Sequence, residues 1–265
     1  MTEISIDIQH HIMLVTLNRP DIHNAISHKN MINEIVEVIA IANKDKNIRA
    51  LILTGAGRSF CAGGNIKDMR DKTDMFSGDI PSIEQAYKDG IQRIPMAFSR
   101  LEIPAIAAIN GAAVGAGFDM TMMCDIRIAS ESARFAESFV KLGLIPGDGG
   151  AWFLPRKIGH ARAAQMALTG AMIDAKTALD WGIISECLSP NDLLPRAWQI
   201  AKDIAKNPPL AVRQTKKLLQ QSETLSLEKM LDTCAKIQAQ LHQTNDHSEA
   251  VNAQLEKRQG QYHGH

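Results

Sequence analysis

At 265 residues the chain is longer than one ordinary domain and short for two, which points to one α/β core with a helical appendage. Lysine plus arginine and aspartate plus glutamate both number 29, a formal net charge of zero, so there is no basic excess to hold nucleic acid or an anionic membrane. A small-molecule function fits this balance better than either.

The four cysteines, Cys61, Cys124, Cys187 and Cys234, are scattered and form no C-x-x-C pair, the usage of reduced structural thiols in a cytoplasmic protein. Met1 is followed by polar, alternating residues rather than a basic stretch and an apolar run, and no stretch approaches the roughly 18 apolar residues of a membrane span. A soluble protein without a signal peptide is expected. The nine histidines show no H-E-x-x-H or comparable ligand spacing, so no metal is expected either.

In chain order, residues 4–8 and 12–17 read as a hairpin that turns at Gln9-His10-His11. Met31, Ile35, Val38 and Ile39 mark an amphipathic helix over 27–42. Residues 49–54 form a near-continuous apolar run bounded by Gly55 and Gly57, the pattern of a strand covered on both faces. A glycine-bearing loop, Phe60 to Ile66, leads through a charged stretch, about residues 68–81, to a helix that ends near Leu101. That charged stretch is expected to be mobile. The pattern then repeats: a strand at 105–109, a turn at Asn110-Gly111, glycines, and a helix over 115–124. Strands at 125–129 and 135–136 follow. Beyond Gly159 helices dominate, over 161–169, 175–181, 193–205, 210–221 and 225–241, with Pro208-Pro209 separating two of them. No linker divides the chain, which reads as a core over 1–190 and a helical region over 191–265 of one functional unit.

Strand, glycine loop and helix thus occur twice, and two such junctions can face one ligand. A backbone N–H can stabilise a developing oxyanion only where no side chain blocks the approach, and a helix N-terminus adds a favourable dipole. Gly63-Gly64 and Gly115-Ala116-Gly117 meet that need, although such glycines also serve tight turns and close helix–strand packing.

Five segments in this order carry a resemblance: Asn18-Arg19-Pro20 with Asn24-Ala25, residues 57–66, residues 110–117, Cys124-Asp125-Ile126-Arg127, and residues 143–150. Together they resemble the successive signatures of the crotonase (enoyl-CoA hydratase/isomerase) superfamily and cover residues 4–186. The resemblance implies an α/β spiral of repeated ββα units and a C-terminal helical region that makes a homotrimer or a dimer of trimers. It also implies an acyl-CoA thioester substrate, with no cofactor because CoA enters as part of the substrate. By position, Gly64 and Ala116 would supply the two oxyanion N–H groups.

The acid–base positions depart from the family pattern. Typical hydratases carry Glu where this chain has Asp119 and again where it has Phe139, and Phe139 cannot transfer a proton. Asp119 and Asp148 are the acid–base candidates that remain, and double-bond isomerisation is slightly favoured over hydration. Asp148 alternatively reads as a helix N-cap. Glu137 reads more readily as a surface charge, though in an extended segment it would share a face with Phe139. Ring opening or closure, dehalogenation and thioester hydrolysis use the same oxyanion chemistry, and an idle relative serving as a binding or assembly module is the reading from another class. Ala62, Asn65, Ile66 and Lys67, with Arg70 beyond, would follow the pantetheine and phosphate path, and Ala25, beside Arg19 and Asn24, the adenine end. Phe60, Phe118, Phe139 and Trp152 are candidate walls of the acyl pocket.

Overall fold

The computed structural model describes residues 2–265. It opens on an antiparallel hairpin, β1 (Ile4–Gln9) and β2 (Ile12–Leu17). The two-residue turn puts His10 and His11 at φ 50° and 67°, the left-handed geometry that follows the twist of the two strands. After α1 (Lys29–Lys44), the chain lays down three successive strand pairs. They are β3 (Ala50–Gly55) with β4 (Ser59–Cys61), β5 (Ala105–Ile109) with β6 (Ala112–Val114), and β7 (Ile126–Ser130) with β8 (Arg134–Ala136).

The first strand of each pair joins one sheet and the second joins another. The larger, six-stranded sheet contains β1-β2-β3-β5-β7 and ends on β10 (Glu186–Leu188); the smaller contains β4-β6-β8 and ends on β9 (Met172–Asp174). Within each sheet the repeats stack in parallel, Leu51 opposite Ala105, Ile106 opposite Ile126, and Ala112 opposite both Ser59 and Arg134. Chain segments that leave equivalent strands therefore emerge side by side.

Between the first two repeats lie α2 (Ile66–Asp71), α3 (Ile80–Asp89) and α4 (Arg93–Ser99), where the sequence suggested one helix. Gly90 closes α3, and a short 3-10 turn at Asp74–Phe76 lies within the charged stretch. Then come α5 (Ala116–Met123), α6 (Gly150–Ile158), α7 (His160–Thr169), α8 (Ala175–Asp180), α9 (Pro190–Ala205), α10 (Pro209–Gln221), α11 (Leu227–Leu241) and α12 (Asn245–Glu256). The last of these has no counterpart in the sequence reading. Asp246 on α12 accepts the N–H groups of His263 and Gly264, folding the end of the chain back on this helix.

Strand alternation divides the interior in two. Leu51 and Leu53 face the core built with α1, α4 and α5, whereas Ala50 and Ile52 face α9. Leu193, Ala197, Ala201 and Ala205 recur every four residues along α9, and this small-residue row packs against Ile106, Ala108 and Ile128. α10 is tied to the same body through Arg213 to Glu102 at 2.9 Å and Lys216 to Asp125 at 2.7 Å.

Candidate active site

Because β4 and β6 are neighbours, with Cys61 opposite Ala113, the loops leaving them run side by side. Both bend through glycine in the left-handed region, Gly63 at φ 79° and Gly115 at φ 53°. Gly117 lies so close to Cys61 that a Cβ there would overlap its carbonyl and side chain, which draws the first turn of α5 against the other loop. Ala116 opens α5, so its N–H is one of those that a helix cannot pair internally. Neither the Gly64 nor the Ala116 N–H has an acceptor among the described residues.

The segment ahead of α1 fixes the first loop. Ile26 N–H donates to the Gly63 carbonyl at 2.9 Å, Ala62 N–H to the His23 carbonyl at 3.0 Å, and Asn65 N–H to the Ser27 hydroxyl at 3.1 Å. Fully buried Asn24 clasps the turn below, its amide donating to the carbonyls of Ala56 and Ser59 at 2.9 Å each. Asn65 also caps α2, accepting from Lys67 N–H at 3.0 Å.

Gly64 and Ala116 line one cleft with Ile26, Phe139, Leu144 and Asp148, roofed by Met69, Met75, Phe76 and Tyr87. The cleft leaves about 20 Å³ of room, space for a water and far too little for an acyl chain. The methionine and phenylalanine side chains over it must move to admit one. Sequence reasoning missed this roof, because its residues come from α2, the 3-10 turn and α3 and converge only in the fold.

Behind Asp148 lie two further buried acids. α5 is buried along its whole length, so Asp119, at its fourth position, is interior. Its Oδ2 accepts the Gly150 N–H at 2.9 Å. Glu137 is also interior, not on the surface as its sequence context suggested. Val114 pairs with Ala136 in adjacent strands, so the residues that follow each converge, and the Glu137 and Asp119 carboxyls come within hydrogen-bonding reach of each other. Asp119 Oδ1, both Glu137 oxygens and Asp148 Oδ1 have no donor among the described residues.

Burial, reinforced by the neighbouring Glu137 and Asp148 charges, raises the Asp119 carboxyl well above the ordinary range. Burial pushes Glu137 up to about 7, and it pushes Asp148 up to about 7. Asp148 does not cap α6: Gly149 holds the cap position and no side chain bonds there, which leaves the Asp148 carboxyl to the cleft.

Other sequence candidates fall elsewhere. Phe118 is fully buried and packs edge-on against Phe135, ring centroids 5.9 Å apart, so it belongs to the core and not to the cleft wall. Phe60 is likewise core. Trp152 is half exposed beneath the Arg156 guanidinium, 3.3 Å from its ring centre. Ala25 is buried, while Ile66 and Lys67 are exposed on α2, outside the cleft lining. Arg70 pairs with Asp71, and Arg19 with Glu3 and Asp21. His28 meets Asp68 at 3.5 Å and Asp74 at 3.3 Å, a grouping with metal-ligand chemistry that no sequence spacing disclosed.

Residues 7–265 match the family model described as enoyl-CoA hydratase/isomerase. The chain is 37% identical over 257 residues to the 1,2-epoxyphenylacetyl-CoA isomerase of Escherichia coli, covering 96% of this chain and 95% of that protein. It is 33% identical to the 2,3-dehydroadipyl-CoA hydratase of the same organism over the full length of both. Its fold is similar to the crystal structure of an enoyl-CoA hydratase from Bacillus anthracis, with a TM-score of 0.92 at 32% identity, covering 99% of this chain and 100% of that one.

Proposed function

The chain belongs to the enoyl-CoA hydratase/isomerase (crotonase) superfamily, and from that premise we propose that it moves a double bond along an enoyl-CoA through a thioester enolate. Acyl-CoA processing is the activity of the family as a whole. The observation that carries the finer reading is the cleft in which two unpaired N–H groups, of Gly64 and Ala116, share a wall with Asp148. Two donors aimed at one thioester oxygen lower the cost of enolate formation, and each such donor is worth about 3–4 kcal/mol in comparable sites.

Asp148, ionised, takes a proton from the acyl chain, and the electrons of that C–H bond pass into the enolate. Asp119, one layer deeper and reached when the acyl chain spreads the cleft, returns a proton to another carbon as the enolate collapses. No water need be held, which suits a site with Phe139 at the position of the second hydratase glutamate.

Asp119→Asn and Asp148→Asn, assayed on a 3-enoyl-CoA, are each expected to lose about a hundredfold or more in kcat. Unchanged turnover in both would remove the assignment. A wild type that hydrates a short 2-enoyl-CoA at ordinary hydratase rates and shifts no double bond would remove the preference for isomerisation.

We also propose a homotrimer or a dimer of trimers. Leu227 and Leu231 on α11 and Val251 and Leu255 on α12 are exposed apolar side chains of the kind that association would cover. Light scattering is expected to give three or six times the chain mass, and a stable monomer at micromolar concentration would contradict it. No helix among the described residues is long and apolar enough to cross a membrane.

A further inference from the structure

We propose that Glu137 and Asp119 hold one proton between them, which makes Glu137 a positioning residue that keeps Asp119 the acid of the site. The inference rests on the role given to Asp119 above, and it adds a residue outside the two family acid–base positions. The fold brings this about through β6 and β8. The chain leaving β8 carries Glu137 alongside the chain leaving β6, which continues into α5 and Asp119.

Gly150 shows how tightly the two are enclosed. A Cβ at that position would collide with Glu137 Oε1 and with the Asp119 carboxyl, so both acids crowd the same point. Asp119 Oδ2 is occupied by the Gly150 N–H, which leaves Oδ1 facing Glu137. With both groups ionised, Asp119 Oδ1 and both Glu137 oxygens would be buried without a donor. One proton between them supplies the missing hydrogen bond and removes one of two adjacent buried charges. Two carboxyls so placed titrate as a pair, giving up the second proton only well above the ordinary range.

The ionisable groups that face the pair are Asp148, whose charge acts on both, and beyond it Tyr87, which in turn feels Asp148. None of these is a cation that would hold the pair fully ionised. In turnover Asp148 gains the proton taken from one acyl carbon, and Asp119 gives the shared proton to another. The pair, now doubly negative, is reprotonated at the expense of Asp148, and no proton is gained or lost overall.

The test is infrared titration of carboxyl groups in the unliganded protein, with Glu137→Gln as the variant. At about pH 8, above the value near 7 to which Asp148 and Glu137 are pushed, wild type is expected to retain one protonated carboxyl per chain, and in Glu137→Gln, where burial acts on Asp119 without its neighbour, that band is expected to titrate away at lower pH. No protonated carboxyl in wild type overturns the proposal. So does a band that titrates at the same pH in Glu137→Gln as in wild type, since burial alone would then hold the proton on Asp119. Should Glu137→Gln fail to fold, Asp119→Asn is expected to abolish the same band, and its persistence is equally contrary.

In kinetics, Glu137→Gln is expected to shift the alkaline limb of the kcat profile about one pH unit towards acid, with KM for the acyl-CoA little changed. A purely structural role would lower activity at every pH without moving that limb. The infrared band is read without substrate. An intact band in a protein that turns over no enoyl-CoA would sink the isomerase reading alone, and a missing band in an active isomerase would sink only the shared proton.

Discussion

Gly150 donates its backbone N–H to Asp119 across 2.9 Å and, at its Cα, leaves room for no side-chain atom between Asp119 and Glu137. A glycine that opens α6 is thus matched to a carboxyl on α5. Gly150→Ala is expected to force the two acids apart, costing roughly 1–3 kcal/mol by the usual scale of overpacking. Urea unfolding read beside isomerase activity checks this. Full activity together with wild-type stability would mean that the acids tolerate separation.

Ala116 can lose its N–H with little other disturbance. It is the first residue of α5, where proline is well tolerated because the N–H has no partner inside the helix. Ala116→Pro is therefore expected to fold and to lose about a hundred- to a thousandfold in kcat. Circular dichroism and a turnover assay separate the two effects, and activity near wild type would show that this N–H is not used.

The raised carboxyls also predict how stability changes with pH. The Asp148 carboxyl, ordinarily near 3.8, is pushed up to about 7, so the folded protein binds its proton more tightly than the unfolded chain. Its contribution is fully present below the unfolded value and is lost as pH rises through about 7. Unfolding free energy in wild type is expected to fall between acid and alkaline pH by on the order of a few kcal/mol more than in Asp148→Asn. Parallel pH dependence in the two proteins would contradict the burial argument.

Lys216 is buried, and its ammonium donates to Asp125 at 2.7 Å and to the Ile103 carbonyl at 2.8 Å. Asp125 also accepts from Ala105 N–H at 2.8 Å, so the pair locks α10 to the start of β5. Lys216→Ala is expected to cost about 1–3 kcal/mol, chiefly because the Ile103 carbonyl loses its buried donor, whereas Asp125 is partly open to solvent and keeps the Ala105 N–H. A change below a few tenths of a kcal/mol in urea unfolding would show that solvent replaces it.

Much of the scaffold was legible in local pattern. The β5 strand lies at 105–109 as its apolar run between Pro104 and Asn110 indicates, and the hairpin strand at 12–17 is likewise where alternation put it. The stretch from α2 to α4 was not, since α2 and a 3-10 turn lie in or beside the charged stretch and Gly90 divides the helix expected beyond it into α3 and α4. Of the residues singled out in the sequence, Gly64, Ala116, Phe139 and Asp148 line one cleft. Glu137 was misread because its burial depends on the pairing of β6 with β8, a long-range relationship that local polarity does not encode. Phe118 was misplaced for a related reason: on a helix buried all round, one aromatic side chain faces the core as readily as another faces ligand.

The most direct test of the account is a crystal structure with a non-reactive enoyl-CoA analogue bound. It is expected to show Met69, Met75 or Phe76 displaced, and the thioester oxygen about 2.9 Å from both the Gly64 and Ala116 nitrogens. The Asp148 and Asp119 carboxyls should approach different carbons of the acyl chain. A thioester oxygen bound away from these two amides, with the acyl chain outside the cleft, would contradict it.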